Sequence, residues 1–414
     1  MYSSFQRNIF LFKISNFFSG FWPLNVLAIV YFQNITHSYA YAMSIFSLLY
    51  LTTTCMEIPT GIFSDKIGRK KSLIMGSVLI FLCFLLWALA SEQENGIYYL
   101  FLGAFLKGIG DAFISGTDEA FMYETLQKNN QHDHFDILYA HATGWMQVGQ
   151  ASSAITAAAI MYYSNMNILA YISVIPAFLN MLISFFYTEI TTQIKVQQKN
   201  SLKHFLSAFL LIIRNKKLRL YSIIQMCYMA LGNGSYYFEG AYYETLISKW
   251  MINIVRFIKQ AFGVFSFFII PKIRMVGMEK LYFFSMLGNA TIRLVGVLVN
   301  TSISPFVIAF GTLFYGSTKT SGATLLQQEF SSEQRATMKS IISLGSSLLT
   351  SILMYILGLV ADIFSPQISM LSAIIPIVFL ALLTHTFQQS IRTKSSHIAH
   401  NASPIKNTPR ILRL

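Results

Sequence analysis

Charged residues are scarce in this sequence. Asp, Glu, Lys and Arg make up 11% of the 414 residues, against about 25% in an ordinary soluble domain. A soluble protein of this length could not cover its surface with so few charges, which excludes a cytosolic enzyme and a disordered chain. The hydrophobic content of 54% instead predicts a polytopic membrane protein.

Cysteine is scarce as well. The three cysteines, Cys55, Cys83 and Cys227, all lie inside apolar runs. An odd number of cysteines in such positions argues against the disulfide framework of a small secreted protein. We expect free thiols that pack as small apolar side chains.

Long apolar runs, in contrast, occur twelve times. Each has about 20–27 residues, enough for a helix that crosses the apolar core of a bilayer. They lie near residues 8–32, 38–60, 72–91, 96–122, 137–163, 167–188, 218–243, 251–271, 281–300, 303–326, 336–361 and 368–388. Continuous apolar runs predict helices, since the alternating pattern of barrel strands is missing. The sequence therefore predicts an all-α membrane protein with twelve transmembrane helices.

A polar stretch divides the chain into two similar halves. We predict an N-terminal six-helix bundle, a cytoplasmic linker, a C-terminal six-helix bundle and a basic cytoplasmic tail, at residues 1–188, 189–217, 218–388 and 389–414. Apolar residues recur at helical spacing between Leu202 and Ile213 in the linker, which predicts an amphipathic helix on the membrane surface. The tail is polar, and we expect it to be disordered.

Basic residues lie mainly on one side of the predicted spans. The N-terminus, the linker, the tail and the loops 2–3, 4–5, 8–9 and 10–11 hold 24 of the 30 Lys and Arg residues, five lie within spans, and only Lys249 lies on the other side. Because Lys and Arg accumulate in cytoplasmic loops, we expect a multi-pass protein of the cell (inner) membrane with both termini in the cytoplasm. This placement also accounts for the net charge of +13 without a nucleic-acid partner.

The loop between the second and third spans carries the most specific motif. It reads Gly61-Ile-Phe-Ser-Asp65-Lys66-Ile-Gly68-Arg69-Lys70-Lys71. Gly68 suits a turn with positive φ, and Asp65 can face a helix N-terminus, whose free N–H groups favour a negative charge. The motif resembles the signature loop of the major facilitator superfamily, G-x-x-x-D-[RK]-x-G-[RK]-[RK], and matches it at every defined position.

This resemblance implies a secondary transporter whose two bundles rock around a shared site. It further implies that Asp65 meets the start of span 11 near residues 335–337. Arg69 would then pair with Glu124 or Glu119 at the cytoplasmic end of span 4. These contacts would latch the halves while the site faces outward. The predicted latch residues are Gly61, Asp65, Lys66, Gly68, Arg69 and Glu124.

Ionisable residues inside the spans are candidates for the transport site, because a charge in hydrocarbon is costly. Lys107, Asp111 and Asp118 share one face of span 4, and Lys107 can pair with Asp111 one turn away. A proton-coupled transporter needs a carboxylate whose pKa is raised by burial. Asp111, Asp118, Glu119 and Glu239 are the candidates. We favour Asp111, which is deepest and near a cation; a permanent ion pair with Lys107 is the alternative.

The family resemblance places spans 1, 4, 7 and 10 around a central cavity. The candidate coupling and cavity residues are Asn25, Lys107, Asp111, Asp118, Glu119, Asn233, Tyr236, Glu239 and Lys319. Arg256, Lys259 and Arg293 are less clearly placed and fit snorkelling or packing roles. The tyrosine-rich walls of mixed charge favour an amphipathic organic solute. Residues 115–120 resemble a pattern of bacterial exporters, so export is the preferred direction.

Three alternatives remain open. One is an uptake symporter for a sugar, a peptide or a siderophore. Another is a membrane-embedded enzyme that modifies lipids, for which the His132-Asp133-His134 cluster is only a weak metal signal. A transporter-like sensor would need a signalling domain, and the tail is short for one. We expect a monomer in the lipid bilayer that uses a small-molecule substrate and a coupling ion, a proton in our interpretation, with no cofactor, no metal and no catalytic residues.

Overall fold

The protein is almost entirely helical in the residues that the structure describes. The computed structural model describes residues 4–131, 134–189, 209–273, 277–328 and 335–401. The helices are α1 Ser4–Gly20, α2 Ala28–Thr36, α3 Tyr39–Ile67, α4 Arg69–Leu89, α5 Gly96–Ile114, α6 Thr117–Gln127, α7 Phe135–Tyr163, α8 Met166–Phe186, α9 Lys216–Glu244, α10 Lys249–Ile273, α11 Met278–Val299, α12 Ser304–Phe310, α13 Tyr315–Gln328, α14 Arg335–Ile363 and α15 Pro366–Asn401. Short 3-10 turns lie at Asn25–Leu27, Ala90–Glu92 and Gly311–Phe314.

Each of the twelve predicted spans coincides with one helix or with a broken pair of helices. The broken pairs are α1–α2, α5–α6 and α12–α13. Within the described ranges, 8 helical segments are long and apolar enough to cross a membrane. The protein is therefore an all-α, multi-pass membrane protein. The more polar segments are α7, α9, α10 and the pair α12–α13, and they carry many of the polar side chains considered below.

Two glycines precede the third membrane span of each half in the same backbone conformation. Gly68 precedes α4 with φ 97° and ψ 153°, and Gly277 precedes α11 with φ 87° and ψ 139°. A residue with a Cβ atom is strained at such φ values. This shared geometry fits two halves with the same helix order.

The linker and the tail compare only partly with the sequence-based expectations. Most of the predicted amphipathic helix lies outside the described residues, although residues 209–214 are helical. The expectation of a disordered tail is wrong for residues 389–401, because α15 continues through Asn401. The apolar helix of the last span extends directly into the polar sequence. The three cysteines are free, as expected.

The two halves pack together on one side of the molecule. The largest cluster of buried apolar side chains combines both halves, with Phe46 and Phe238 among its members. It lies on the side that holds Ser38, which we name the outer side after the predicted topology. The other two described clusters lie towards the side that holds Gly68, named the inner side, and each is confined to one half. The halves therefore separate towards the inner side.

Candidate functional site

A cavity of about 190 Å³ lies between the two halves. Its floor and walls combine a charged pair from α5 with aromatic and hydroxyl side chains from α3 and from the C-terminal half. The lining residues are Trp22, Phe46, Leu49, Tyr50, Thr53, Lys107, Asp111, Tyr237 and Ser347. A small polar solute could contact both halves here at once.

Lys107 and Asp111 form an ion pair in this cavity. The Nζ of Lys107 donates to both carboxylate oxygens of Asp111, at 2.9 and 2.7 Å. The two residues are one turn apart on α5, which brings their side chains to the same face. The side chain of Asp111 is 31% exposed, so solvent or solute in the cavity can reach its carboxylate. Both sequence candidates therefore belong to the cavity.

Glu239 lies at the centre of a second charged group in the C-terminal half. Its side chain is only 3% exposed, accepts a hydrogen bond from Lys259 and accepts another from Arg293 at 3.1 Å. Arg293 also donates to Ser235 at 2.9 Å. We name Glu239, Lys259 and Arg293 the Glu239 cluster. The sequence pointed to Glu239 but not to its partners, because the three residues come from α9, α10 and α11.

Arg256 lies one helical turn from Lys259 and next to a break in the first span. It is 7% exposed, and its Nη1 donates to the carbonyl oxygen of Trp22 at 3.3 Å. Helix α1 ends at Gly20 and α2 begins at Ala28, with Pro23 between them. The break leaves carbonyl groups without an intrahelical donor. Sequence reasoning missed that Arg256 donates to this break, because the two segments are more than 200 residues apart.

Three glutamines connect the halves beside this arginine. The amide nitrogen of Gln260 donates to Gln147 and, at 2.6 Å, to Gln150. Gln147 and Gln150 are three residues apart on α7, and Gln260 follows Lys259 on α10. The three-residue spacing of the two glutamines, which places both on one face of α7, is a signal that could have identified this polar face.

The remaining cavity candidates are more dispersed. The hydroxyl of Tyr236 donates to Asn25 of the other half at 3.5 Å, a long and weak contact. Asp118 instead lines a smaller cavity of about 50 Å³ within the N-terminal half. Its carboxylate accepts from the backbone N–H of Glu119 at 2.7 Å, at the start of α6. The side chains of Asp118 and Glu119 are both absent from the lining of the central cavity.

Lys319 and Asn233 are likewise absent from that lining. The ammonium of Lys319 lies 5.5 Å from the centre of the Tyr315 ring, and the residue is exposed. It forms no ion pair with a carboxylate in the described part of the chain. Asn233 is half-buried on α9, four residues before Tyr237.

The predicted latch residues meet within the N-terminal half. Arg69 pairs with Asp65 at 2.7 Å and with Glu124 at 3.2 Å, so Glu124 rather than Glu119 is its acidic partner. Asp65 is half-exposed, and Gly61 and Lys66 are exposed. The side chains of residues 335–337, where Asp65 was expected to meet span 11, lie outside those that the structure describes.

A different carboxylate joins the halves on the outer side. Asp362, near the end of α14, accepts hydrogen bonds from the Ser38 hydroxyl at 2.6 Å and from the N–H groups of Tyr39 and Ala40 at 2.7 and 2.9 Å. These groups form the start of α3, whose free N–H donors favour an anion. Sequence reasoning missed this contact, because it pairs residues more than 300 positions apart.

The described residues contain no group of three or more His, Cys, Asp and Glu side chains suited to a metal ion. His132 and Asp133 lie outside the described residues. The weak metal signal of that loop therefore gains no support from the remainder of the structure.

Comparison with known proteins adds a family and a set of similar folds. The family model "Major Facilitator Superfamily" matches residues 9–273. An uncharacterized transporter of Buchnera aphidicola subsp. Schizaphis graminum (strain Sg) is 27% identical over 135 residues, which are 33% of this chain and 32% of that protein. The matched region thus spans about a third of that relative.

Solved structures resemble nearly the whole chain. Nucleoside transporter NupG (D323A mutant) has a TM-score of 0.76 and 17% identity, covering 93% of this chain and 99% of that one. A D-xylose-proton symporter has a TM-score of 0.69 and 15% identity, covering 91% and 97%. A POT family transporter in complex with 5-aminolevulinic acid has a TM-score of 0.69 and 13% identity, covering 93% and 96%. At these identities the likeness concerns the fold.

Proposed function

The chain belongs to the Major Facilitator Superfamily and is a membrane transporter rather than an enzyme, and on that premise we propose secondary transport of a small organic solute by alternating access. One observation carries this proposal. The outer apolar cluster joins both halves, whereas the inner clusters are each confined to one half. With the sidedness that the placement of Lys and Arg predicts, this packing supports an inward-facing state. Rocking the halves would open the outer side and cover the inner one.

We propose that the Lys107–Asp111 pair couples transport to protons. The pair lies in the cavity between the halves, where a proton or a solute could compete with the ammonium for the carboxylate. One of the similar solved structures is a D-xylose-proton symporter, which favours a proton over other ions. Protonation of Asp111 would release Lys107 and change the charge pattern of the cavity during each cycle.

Export is the direction that we propose, on the resemblance of residues 115–120 to exporters. These residues form the break between α5 and α6, where Gly116 adopts a φ of 71°. Uptake of a sugar, a peptide or a siderophore is the alternative, and the solved neighbours include nucleoside, D-xylose and peptide transporters. We further propose that the protein is a monomer in the cell (inner) membrane, and the placement of Lys and Arg supports termini in the cytoplasm.

Reconstituted protein provides the direct test of coupling. We expect a pH gradient to drive solute flux in proteoliposomes, and Asp111→Asn to abolish the gradient-driven component because an amide cannot exchange a proton. Solute exchange without a gradient should persist in this variant. Glu94→Gln, which changes an exposed acid in the loop before α5, is the matched control and should keep wild-type flux. Unchanged gradient-driven flux in Asp111→Asn would contradict the proposed role.

A further inference from the structure

The charged side chains next to the cavity carry an excess of positive charge. Arg256, Lys259 and Arg293 contribute three cations, and Glu239 contributes one carboxylate. Arg256 forms no ion pair with any carboxylate that the structure describes; its contact is the Trp22 carbonyl oxygen. Lys107 and Asp111 neutralise each other. The wall that α9, α10 and α11 form with these four side chains therefore has two more positive than negative charges.

These cations are also largely removed from solvent. Arg256 is 7% exposed, and the side chains of Lys259 and Arg293 are 16% and 11% exposed. A buried charge without a partner is costly, and like charges near each other increase that cost. Ionisable groups at membrane depth are retained mainly where a substrate or an ion uses them. The missing partner is thus a negative charge.

The buried groups without a described partner near the wall include two N–H donors, together with the hydroxyl of Tyr243 and one acceptor, the Oδ1 of Asn253, which lies one turn before Arg256 on α10. The Nε of Arg293 and the Nε1 of Trp22 are buried and have no acceptor among the described residues. Arg256 carries five N–H donors in a planar fork, and the structure uses it for one described hydrogen bond. A guanidinium fork matches a carboxylate or a phosphate in geometry as well as in charge.

The wall is continuous with the central cavity. Trp22 lines the cavity, and its carbonyl oxygen contacts Arg256. The ammonium of Lys259 lies 5.4 Å from the centre of the Tyr236 ring, next to the cavity residue Tyr237. An anionic group could therefore contact the cations while the remainder of a solute stays in the cavity.

The geometry points to a small organic anion as the transported solute, with its carboxylate or phosphate group at Arg256 and the Glu239 cluster. This assignment rests on the proposed transport function and names its substrate class. The glutamine amides beside Lys259 and the aromatic side chains of the cavity suit a polar body attached to that group. A cavity of about 190 Å³ favours a metabolite smaller than a typical drug-sized ligand.

The test uses a deproteinised small-molecule extract of cells as the probe, so it does not require a known substrate. The purified full-length chain is heated with the extract, with the extract depleted on an anion-exchange resin, and with the anions eluted from that resin. We expect the whole extract and the eluted anions to raise the melting temperature, and the depleted extract to lose this effect. Stabilisation that survives anion removal, or none from the eluted anions, would overturn the assignment.

A variant series connects the effect to the proposed site. Arg256→Gln should reduce the apparent affinity for the anion fraction at least tenfold, and Arg256→Lys should restore part of it. Lys128→Gln removes one exposed positive charge far from the cavity and should bind as the wild type does. Wild-type affinity in Arg256→Gln would mean that Arg256 only caps the broken first span, and it would contradict the proposal.

Two further measurements separate the possible outcomes. Treating the anion fraction with a phosphatase should abolish the stabilisation if the anion is a phosphate ester and leave it intact if it is a carboxylate. If a neutral or cationic fraction stabilises the protein and is transported in proteoliposomes, the transport proposal holds and the anion assignment fails. If no fraction is transported, the proposed function itself fails.

Discussion

Helices α3 and α14 face each other across the two halves, and their two ends are held differently. At the outer end, Asp362 of α14 accepts three hydrogen bonds from the start of α3. At the inner end, Asp65 of α3 pairs with Arg69 of its own half. The outer end thus places an acid of α14 at the start of α3, and the family resemblance predicts the same relation at the inner end, between Asp65 and the start of α14. We infer that the two ends alternate, with the outer contact made when the inner one is open.

Burial along α3 follows the same division. Ala40, Met43, Phe46 and Leu49 in its outer part are buried. The inner part exposes Ile58 and several of its neighbours. An exposed stripe that continues a buried one on the same helix is the surface expected to be covered when the inner side closes.

Overpacking the contact on the outer side should give the largest shift in the balance between a closed outer side and a closed inner side. A Cβ atom at Gly240 of α9 would overlap the carbonyl oxygen of Val26 in the other half, whereas one at Gly232 of the same helix meets nothing within 4 Å. Gly240→Ala should destabilise the outer contact by about 1–3 kcal/mol, a shift of about 5- to 140-fold towards the outward-facing state. Spin labels at Lys71 and Lys339, both exposed on the inner side, should report a shorter distance.

Gly232→Ala is the matched control for this substitution, since it makes the same chemical change on the same helix in open space. It should leave the label distance unchanged. A label distance that is equally unaffected in Gly240→Ala would mean that the close approach at Val26 does not hold the outer side closed.

Sequence reasoning identified the helices and the loop motif but not the contacts between distant segments. The apolar runs located the spans, because length and hydropathy along the chain decide whether a helix can cross a bilayer. Lys107 and Asp111 were predictable as a pair, since they are one turn apart on one helix. The partners of Glu239 were not, because three helices bring Lys259 and Arg293 to it. Periodicity within one helix carries no information on which helix packs beside it.

The capping of α3 provides a prediction of intermediate size. Asp362→Ala removes the acceptor of three hydrogen bonds at a helix start, which costs about 0.5–2 kcal/mol in comparable N-caps. The same pair of spin labels should show a larger fraction of molecules with the short distance on the inner side, and this increase should be smaller than in Gly240→Ala. Asp362→Asn keeps one carbonyl acceptor and should give a smaller change still. Equal distances in all three proteins would exclude a role for this cap in holding the outer side closed.

The smallest effect is expected from a substitution at the inner end of α3. Asp65 is half-exposed in this state. As a single substitution, Asp65→Asn should therefore leave the distance between the two spin labels on the inner side unchanged. In the Gly240→Ala background, where the inner side closes, the lost interaction with the start of α14 should cost about 0.3–1 kcal/mol and reduce the short-distance population about two- to fivefold. Glu94→Gln in that background is the control. A short-distance population that does not respond to Asp65→Asn would mean that the inner side closes without the predicted latch, and the two ends of the helix pair would then not be equivalent.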